Sequence, residues 1–378
     1  MPIVSESRKM PKKVCIVHDM FLYRGGGERL ILLMARALDA DIVTGFYDDG
    51  CYDPESLGVS KSRIRTLLSN PPRSSSLRKL LLTWVFRFKT RFIREYDVVI
   101  FSGDCLSAMA SLSPQQHSLY YCHTPPRYLF DQYYAYMEKI RPLLRHVYRI
   151  AFAIFRWSYL HDIARADTIL VNSETIRKRL LEHTGYASQI VYPCVDTDFF
   201  SPGLESHNVP YYLSYARLAS IKRVDRIVEA FARMPERKLV LVHGPHDPQR
   251  EEVLARVWEC PNIETWESPS DTELRDLIRG AAAVIYIPQA EDFGMTPIES
   301  MACGTPVIAA ADGGLLETVV EGKTGYFVSD EARVEEIIEA VRRLDPETAA
   351  TMSAACVRRA HDFSYHSFAE RMREIVEA

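Results

Sequence analysis

The sequence lacks the features that would place it in several common classes. Its eight cysteines (Cys15, Cys51, Cys105, Cys122, Cys194, Cys260, Cys303 and Cys356) include no C-x-x-C pair. That excludes the usual zinc spacings and a disulfide framework. Several sit inside apolar runs, as small hydrophobes do, and a reducing cytoplasm is the expected compartment. No stretch reaches the ~18 apolar residues of a membrane-crossing helix. The polar start, residues 1–13, lacks the apolar region of a secretory signal. The chain is expected to be soluble or to lie on a membrane, not to span one. Positive charge is not in excess, the net charge being −4, so nucleic acid is not an expected partner. A G-x-G-x-x-G fingerprint is missing too, which argues against a nicotinamide oxidoreductase. No Asp-x-Asp pair stands at a strand end among metal-ligand neighbours. Asp196 and Asp198 open a turn-rich stretch and read as turn chemistry, so no metal and no other cofactor is expected.

What is present suffices for two ordinary domains: 378 residues, 47% of them apolar and 25% charged. Short β-branched runs alternate with amphipathic segments. Strands are expected at 14–18, 41–46, 97–101, 118–123, 168–172 and 189–192, then at 211–215, 238–243, 263–266, 283–287, 306–310 and 325–328. Helices are expected between them, for example at 29–38, 173–182, 224–234, 271–280, 298–303 and 334–344. This alternation predicts an α/β fold, two doubly wound parallel sheets with helices on both faces. Residues 199–210, with Pro202, Gly203, Ser206, Asn208 and Pro210, read as a linker. The domains are then 11–198 and 211–361, followed by a terminal amphipathic helix at 362–378.

In open parallel sheets, ligands bind beyond the carboxyl ends of strands. Three motifs fall there in the second half. Glu291-Asp-Phe293-Gly294-Met295-Thr296-Pro297-Ile-Glu299 runs from a strand through a loop into a helix. Pro297 suits the first helical position, and the bare N–H groups before it suit a diphosphate. Glu299 is placed to grip ribose hydroxyls, although Thr296 and Glu299 equally spell a capping box. Arg217 and Lys222 follow the first strand of the second domain and suit the negative charge of a departing nucleotide diphosphate, or form a basic surface loop. Gly313 and Gly314 follow a third strand, where glycine lets backbone approach a ligand. Gly322 and Gly325 read as ordinary turns.

Together these motifs resemble the retaining glycosyltransferase family 4, of the GT-B fold, and the resemblance spans nearly the whole chain. It implies that Glu291 contacts hydroxyls of the donor sugar, that Glu299 holds the ribose, and that Arg217, Lys222 and the backbone of 294–296 hold the diphosphate of a nucleotide-sugar donor. The first half matches as well. Gly25-Gly26-Gly27 resembles the family's glycine-rich cleft loop. His123, at the end of a strand and within His-Thr-Pro-Pro-Arg-Tyr, matches a histidine close to the reacting sugar, where the residue alone would read as a structural hydrogen-bonder. The His-Thr-Pro-Pro run is similar to mannosyltransferases of surface-polysaccharide assembly, which implies GDP-mannose as donor and a glycan or lipid-linked acceptor. A UDP-sugar transferase or epimerase of the same fold, or a non-catalytic membrane scaffold, are the alternatives. No nucleophilic carboxylate emerges, and the resemblance implies a front-face route.

Residues 73–94 carry seven basic side chains and no acid, interleaved with Trp84, Phe86, Phe88 and Phe92. A segment of this kind can lie in a bilayer interface on anionic lipid. Arg78, Lys79, Trp84, Arg87, Lys89 and Arg91 are the expected membrane contacts. Residues 139–157 add Lys139, Arg141, Arg145, Arg149 and Arg156. Attachment to the inner face of the cell membrane follows. The alternative is an apolar face packed in the core with solvated arginines.

Overall fold

The computed structural model describes residues 12–22, 24–48, 50–203 and 210–378. The elements in chain order begin β1 (Val14–Phe21), α1 (Gly26–Leu38), β2 (Asp41–Tyr47), β3 (Ile64–Thr66), α2 (Ser75–Lys89), β4 (Val98–Ser102), β5 (His117–Cys122), α3 (Tyr133–Glu138) and α4 (Arg145–Ile163). Then come β6 (Thr168–Val171), α5 (Glu174–Thr184), β7 (Gln189–Ile190), β8 (Tyr211–Ser214), α6 (Val224–Ala232), β9 (Lys238–His243) and α7 (Arg250–Val257). The chain ends with β10 (Ile263–Glu267), α8 (Asp271–Gly280), β11 (Ala281–Tyr286), α9 (Met295–Ala302), β12 (Val307–Ala310), α10 (Leu315–Thr318), β13 (Gly325–Val328), α11 (Val334–Arg343), α12 (Pro346–His361) and α13 (Tyr365–Glu377).

These form two compact units. One holds the described residues up to Asn172, with Ile176–Val191 and Ala369–Ala378; the other holds Ser173–Thr175 and Tyr192–Phe368. The first unit has a seven-stranded sheet in the order β3-β2-β1-β4-β5-β6-β7, the second a six-stranded sheet in the order β10-β9-β8-β11-β12-β13. All ladders are parallel. The central strands are buried end to end, as in β4 and β12, which is why they read as unbroken apolar runs. Strand order reverses between β1 and β4 in one sheet and between β8 and β11 in the other. A crevice opens at such a reversal because the two flanking crossovers leave toward opposite faces.

Several boundaries differ from the sequence reading. The three-residue strand β3 went unforeseen, because its residues are half-buried or exposed and carry no apolar run. α1 starts at Gly26, so Gly26 and Gly27 are helical and only Gly25, its N-cap, remains loop. The change of unit falls between Val191 and Tyr192, ahead of the expected linker. Phe200 is 1% exposed within the second core, and Val195 bridges Ser364, so 192–203 is structure, not spacer. Residues 204–209 lie outside the described residues. The terminal segment joins the first unit, where Arg373 Nε donates to the Ala37 carbonyl at 2.9 Å and Lys12 Nζ to that of Val376 at 2.7 Å.

Gly325 is no ordinary turn. It opens β13, and a Cβ there would lie 1.9 Å from the Val307 carbonyl oxygen. Gly325→Ala forces β12 and β13 apart and is expected to lower stability by about 1–3 kcal/mol, read as a fall in Tm. An unchanged Tm would contradict the register Val307↔Gly325. Gly322, with open space around it, does serve as a turn.

Candidate functional site

The second unit's site is built at the ends of β8 and β11, its point of strand reversal. Lys222 lies in the loop after β8, and its ammonium donates to Glu291 Oε2 at 2.7 Å and to the Tyr286 hydroxyl at 2.7 Å. Both charged side chains are about four-fifths buried, at 20% and 18% exposure. Burial works to lower the Lys222 pKa, but the pull of Tyr286 and Glu291 outweighs it and raises the pKa above the ordinary lysine range. The ammonium therefore stays charged out of bulk water. Tyr286, the last residue of β11, is pushed upward by burial and then by Glu291, and stays a neutral phenol.

The Glu291 loop is pressed from two sides. The Gln289 amide donates to the Ile221 carbonyl at 2.8 Å, tying it to the Lys222 loop. On the other side the Gly314 amide donates to Glu291 O at 2.9 Å, and the Ala290 amide donates to Asp312 Oδ2. A Cβ on Gly313 would sit 2.1 Å from Glu291 O, and one on Gly314 2.3 Å from Phe293 Cα. These glycines do admit close backbone approach, but what approaches is the chain's own loop.

α9 begins at Met295 with Gly294 as N-cap (φ 89°) and no side-chain cap. The expected capping box is absent. Thr296 is the second helical residue and Pro297 the third, because Gly294 alone can take the left-handed turn that starts the helix early. Pro297 brings no N–H, so Met295 and Thr296 carry the open donors of the first turn. Neither amide has an acceptor among the described residues. Glu299 is thereby the fifth helical residue, not the third. It sits one turn in, where Tyr215, just past β8, reaches its Oε2 at 3.4 Å and the Thr296 carbonyl at 2.8 Å. Phe293, expected at the donor, is instead 3% exposed and packs between Tyr192 and Phe363; only its backbone belongs to the loop. Arg217 is exposed, with no ion pair among the described residues. Its loop is pinned by Asp247, whose Oδ2 accepts the Leu218 and Gly244 amides at 2.9 Å each. Asp196 Oδ1 accepts the amides of Asp198 and Phe199 at 3.2 and 3.0 Å, the turn that the sequence suggested. Tyr215, Tyr286 and Asp247 carried no motif signal, since each lies at or just past a strand end where apolar or turn roles are ordinary.

In the first unit His123 stands just past β5. Its Nε2 is 2.9 Å from Ser102 Oγ at the end of β4, and Ser102 Oγ is 3.3 Å from His18 Nδ1 on β1. Gly27, in the first turn of α1, adjoins the ring: a Cβ there would be 3.9 Å from His123 Cε1. The N-cap glycine of α1, like that of α9, offers no side-chain cap, so a helix N-terminus and a histidine share one strand-reversal point. Burial, then the neighbouring His18, pushes His123 down to about 3. Burial pushes His18 down to about 4. Beyond His18, Asp19 Oδ1 lies 3.5 Å from its Nε2, and burial and then Asp104 raise that carboxyl to about 7.

The basic segments divide between core and surface. Lys79 pairs with Asp104 at 3.2 Å, and its ammonium lies 3.6 Å from the centre of the Tyr128 ring. Arg87 pairs with the buried Asp162 at 3.6 Å. Both were expected to face lipid; the fold supplies acids that are absent from their own stretch of sequence. Phe86 is core, and Phe92 lies under the Arg65 guanidinium. Outside remain Leu77, Leu80, Trp84 and Phe88 on α2, and Leu143, Val147, Ile150, Ile154 and Trp157 at and along α4, between 51% and 93% exposed. Ser76 Oγ and the Tyr148 hydroxyl, 3.3 Å apart, set the two helices side by side. None of the eight cysteines forms a disulfide, and no described helix is long and apolar enough to cross a membrane.

With folded pKa values below the ordinary ~6.5, both histidines are neutral at neutral pH. The unfolded chain takes up their protons first, so they make stability fall as pH drops below about 6.5. In a ¹³C-resolved NMR titration, the His123 and His18 imidazole shifts are expected to stay flat between about pH 8 and pH 5. A midpoint near 6.5 for either ring would contradict the buried Ser102 link.

Residues 24–199 match the family model Glycosyltransferase Family 4, and residues 196–356 match Glycosyl transferases group 1. The chain is 28% identical to Alpha-1,3/1,6-mannosyltransferase ALG2 of Kluyveromyces lactis, across 84% of this chain and 73% of that one. It is 27% identical to mouse ALG2, across 98% and 97%. Anabaena HepE, solved in complex with UDP, superposes with a TM-score of 0.75 at 18% identity, across 97% of this chain and 99% of that one, which shows the GT-B fold. Two parallel-sheet units, the carboxylate pair Glu291 and Glu299, Lys222 beside the first of them and matches running end to end all agree: the chain is a glycosyltransferase and belongs to glycosyltransferase family 4.

Proposed function

We propose that this enzyme transfers mannose from GDP-mannose to a glycan or lipid-linked acceptor with retention of configuration. The single observation that carries the donor assignment is the Lys222–Glu291–Tyr286 cluster beside the open amides of α9. Mannose is favoured by the ALG2 relatives. An α-linked product from an α-linked donor is a retained one. When the donor enters, its diphosphate takes over Lys222 and the amides of Met295 and Thr296, and Glu291 turns to sugar hydroxyls. Arg217, exposed and unpaired, supplies a second cation. The bond from the anomeric carbon to the diphosphate oxygen breaks, and the acceptor oxygen bonds on the same face. The acceptor's proton passes to the departing phosphate. Fixed positive groups stabilise the charge growing on that phosphate without a metal. Glu299 holds the ribose.

The experiment is a thermal-shift panel of nucleoside diphosphates with initial-rate kinetics. GDP is expected to raise Tm and UDP not to, since a ligand of the native state stabilises it. Lys222→Ala removes the GDP response and lowers kcat/KM on the order of 10²–10³-fold. A selective UDP response would move the donor to a UDP-sugar. A Lys222→Ala enzyme at wild-type rate would overturn the site.

The exposed apolar stripes of α2 and α4, with Arg78, Arg91, Arg141 and Arg149 nearby, support docking of the first unit on an anionic bilayer at the cytoplasmic face. Aromatic and aliphatic side chains enter the interface and the guanidinium groups meet lipid phosphates. The wild type is expected to pellet with phosphatidylserine vesicles at low salt, and Trp84→Ser with Trp157→Ser to stay in solution with Tm unchanged. Absence of wild-type pelleting removes the idea.

A further inference from the structure

Arg223 follows Lys222 directly and holds the left-handed conformation (φ 53°, ψ 32°) as N-cap of α6. An L-residue other than glycine or asparagine rarely adopts it. The side chain is 6% exposed. Its guanidinium is spent on three carbonyls: Nε donates to Ile287 O at 2.7 Å, Nη2 to Pro288 O at 2.7 Å, and Nη1 to Asp330 O at 2.5 Å. Ile287 and Pro288 leave β11 and lead into the Glu291 loop. A strained backbone, a buried charge and a planar fork converge on one link between the two loops that meet as Lys222 and Glu291. The rigid fork spans carbonyls on two different segments, which a lysine ammonium cannot do in one geometry.

We propose that Arg223 is a positioning residue that cross-braces the β8–α6 loop to the β11–α9 loop and so sets the Lys222 ammonium against Glu291 and Tyr286. It touches neither donor nor acceptor. The consequence for catalysis rests on Lys222 serving the donor diphosphate; the brace itself does not. Arg226 is the natural control. It donates to the carbonyls of Glu331 and Ala332, gripping the same far loop as Arg223, but does not reach β11.

The test combines two readouts. Competitive acylation of amines in the substrate-free protein, followed by peptide mass spectrometry, reports how well Lys222 is protected. Initial rates report kcat and KM separately. Arg223→Gly relieves the backbone while removing the brace, so Tm is expected to hold. Lys222 then acylates faster, and kcat falls on the order of 10²-fold, the cost of a small misplacement of a catalytic group, with a lesser change in donor KM. Arg223→Lys falls between, and Arg226→Ala stays at wild type in both readouts. Wild-type protection and kcat in Arg223→Gly overturn the proposal. An Arg226→Ala variant as impaired as Arg223→Gly also overturns it, because the effect would then come from the 330–332 loop. If Arg223→Gly fails to fold, Arg223→Lys decides on the same terms. Acylation needs no donor, so a wrong donor assignment leaves that readout standing, while a wrong brace does not.

Discussion

A charged amine held mostly out of water is the interaction on which the second unit's site depends. Lys222 would be costly to bury alone. Glu291 and Tyr286 make it affordable, and the same two partners keep it protonated. The pairing leaves each charge already desolvated and aimed before any ligand arrives. In the proposed reaction, a diphosphate that displaces Glu291 meets a cation that needs little reorganisation, which is where electrostatic catalysis draws its strength.

That arrangement is a product of topology. In each sheet the strand order reverses once, and the loops there diverge to leave room. The site of the second unit gathers at β8 and β11, and the histidine chain of the first unit gathers at β1, β4 and β5. In both units an uncapped helix N-terminus opens beside the site, at α9 and at α1. Glycine is what permits this: Gly294 by taking a left-handed turn, and Gly25 as an N-cap with no side chain of its own. The helices that carry exposed apolar stripes follow a different pattern. α2 buries Leu82, Val85 and Phe86 and leaves Trp84 and Phe88 outside, so a single helix serves the core on one side and presents an apolar stripe on the other.

Much of this was legible beforehand. Alternating apolar runs and amphipathic segments announced two parallel sheets, because a strand covered on both faces must be apolar throughout. Glu291, Arg217, Lys222 and His123 drew notice because they follow strand ends, where a charged or polar residue stands out from the apolar run, and Glu299 because it lies in the next helix; their site roles came from the resemblance. Less legible were the residues whose role is contact. Tyr286, Tyr215, Ser102 and Arg223 look like strand or turn residues until the strand that each one touches is known.

The sequence by itself determined the fold class and the strand-end placement of the candidate side chains, which follow from local periodicity and spacing acting over a few residues; the family came from the resemblance of its motifs. Only the tertiary structure decided which charges pair. Lys222 meets Glu291 across 69 positions, and Lys79 and Arg87 turn from expected lipid contacts into partners of Asp104 and Asp162. It also decided that Thr296 does not cap and that Phe293 is core. Charge pairing, capping and burial depend on what the chain brings near from far along its length, and no local pattern encodes that distance.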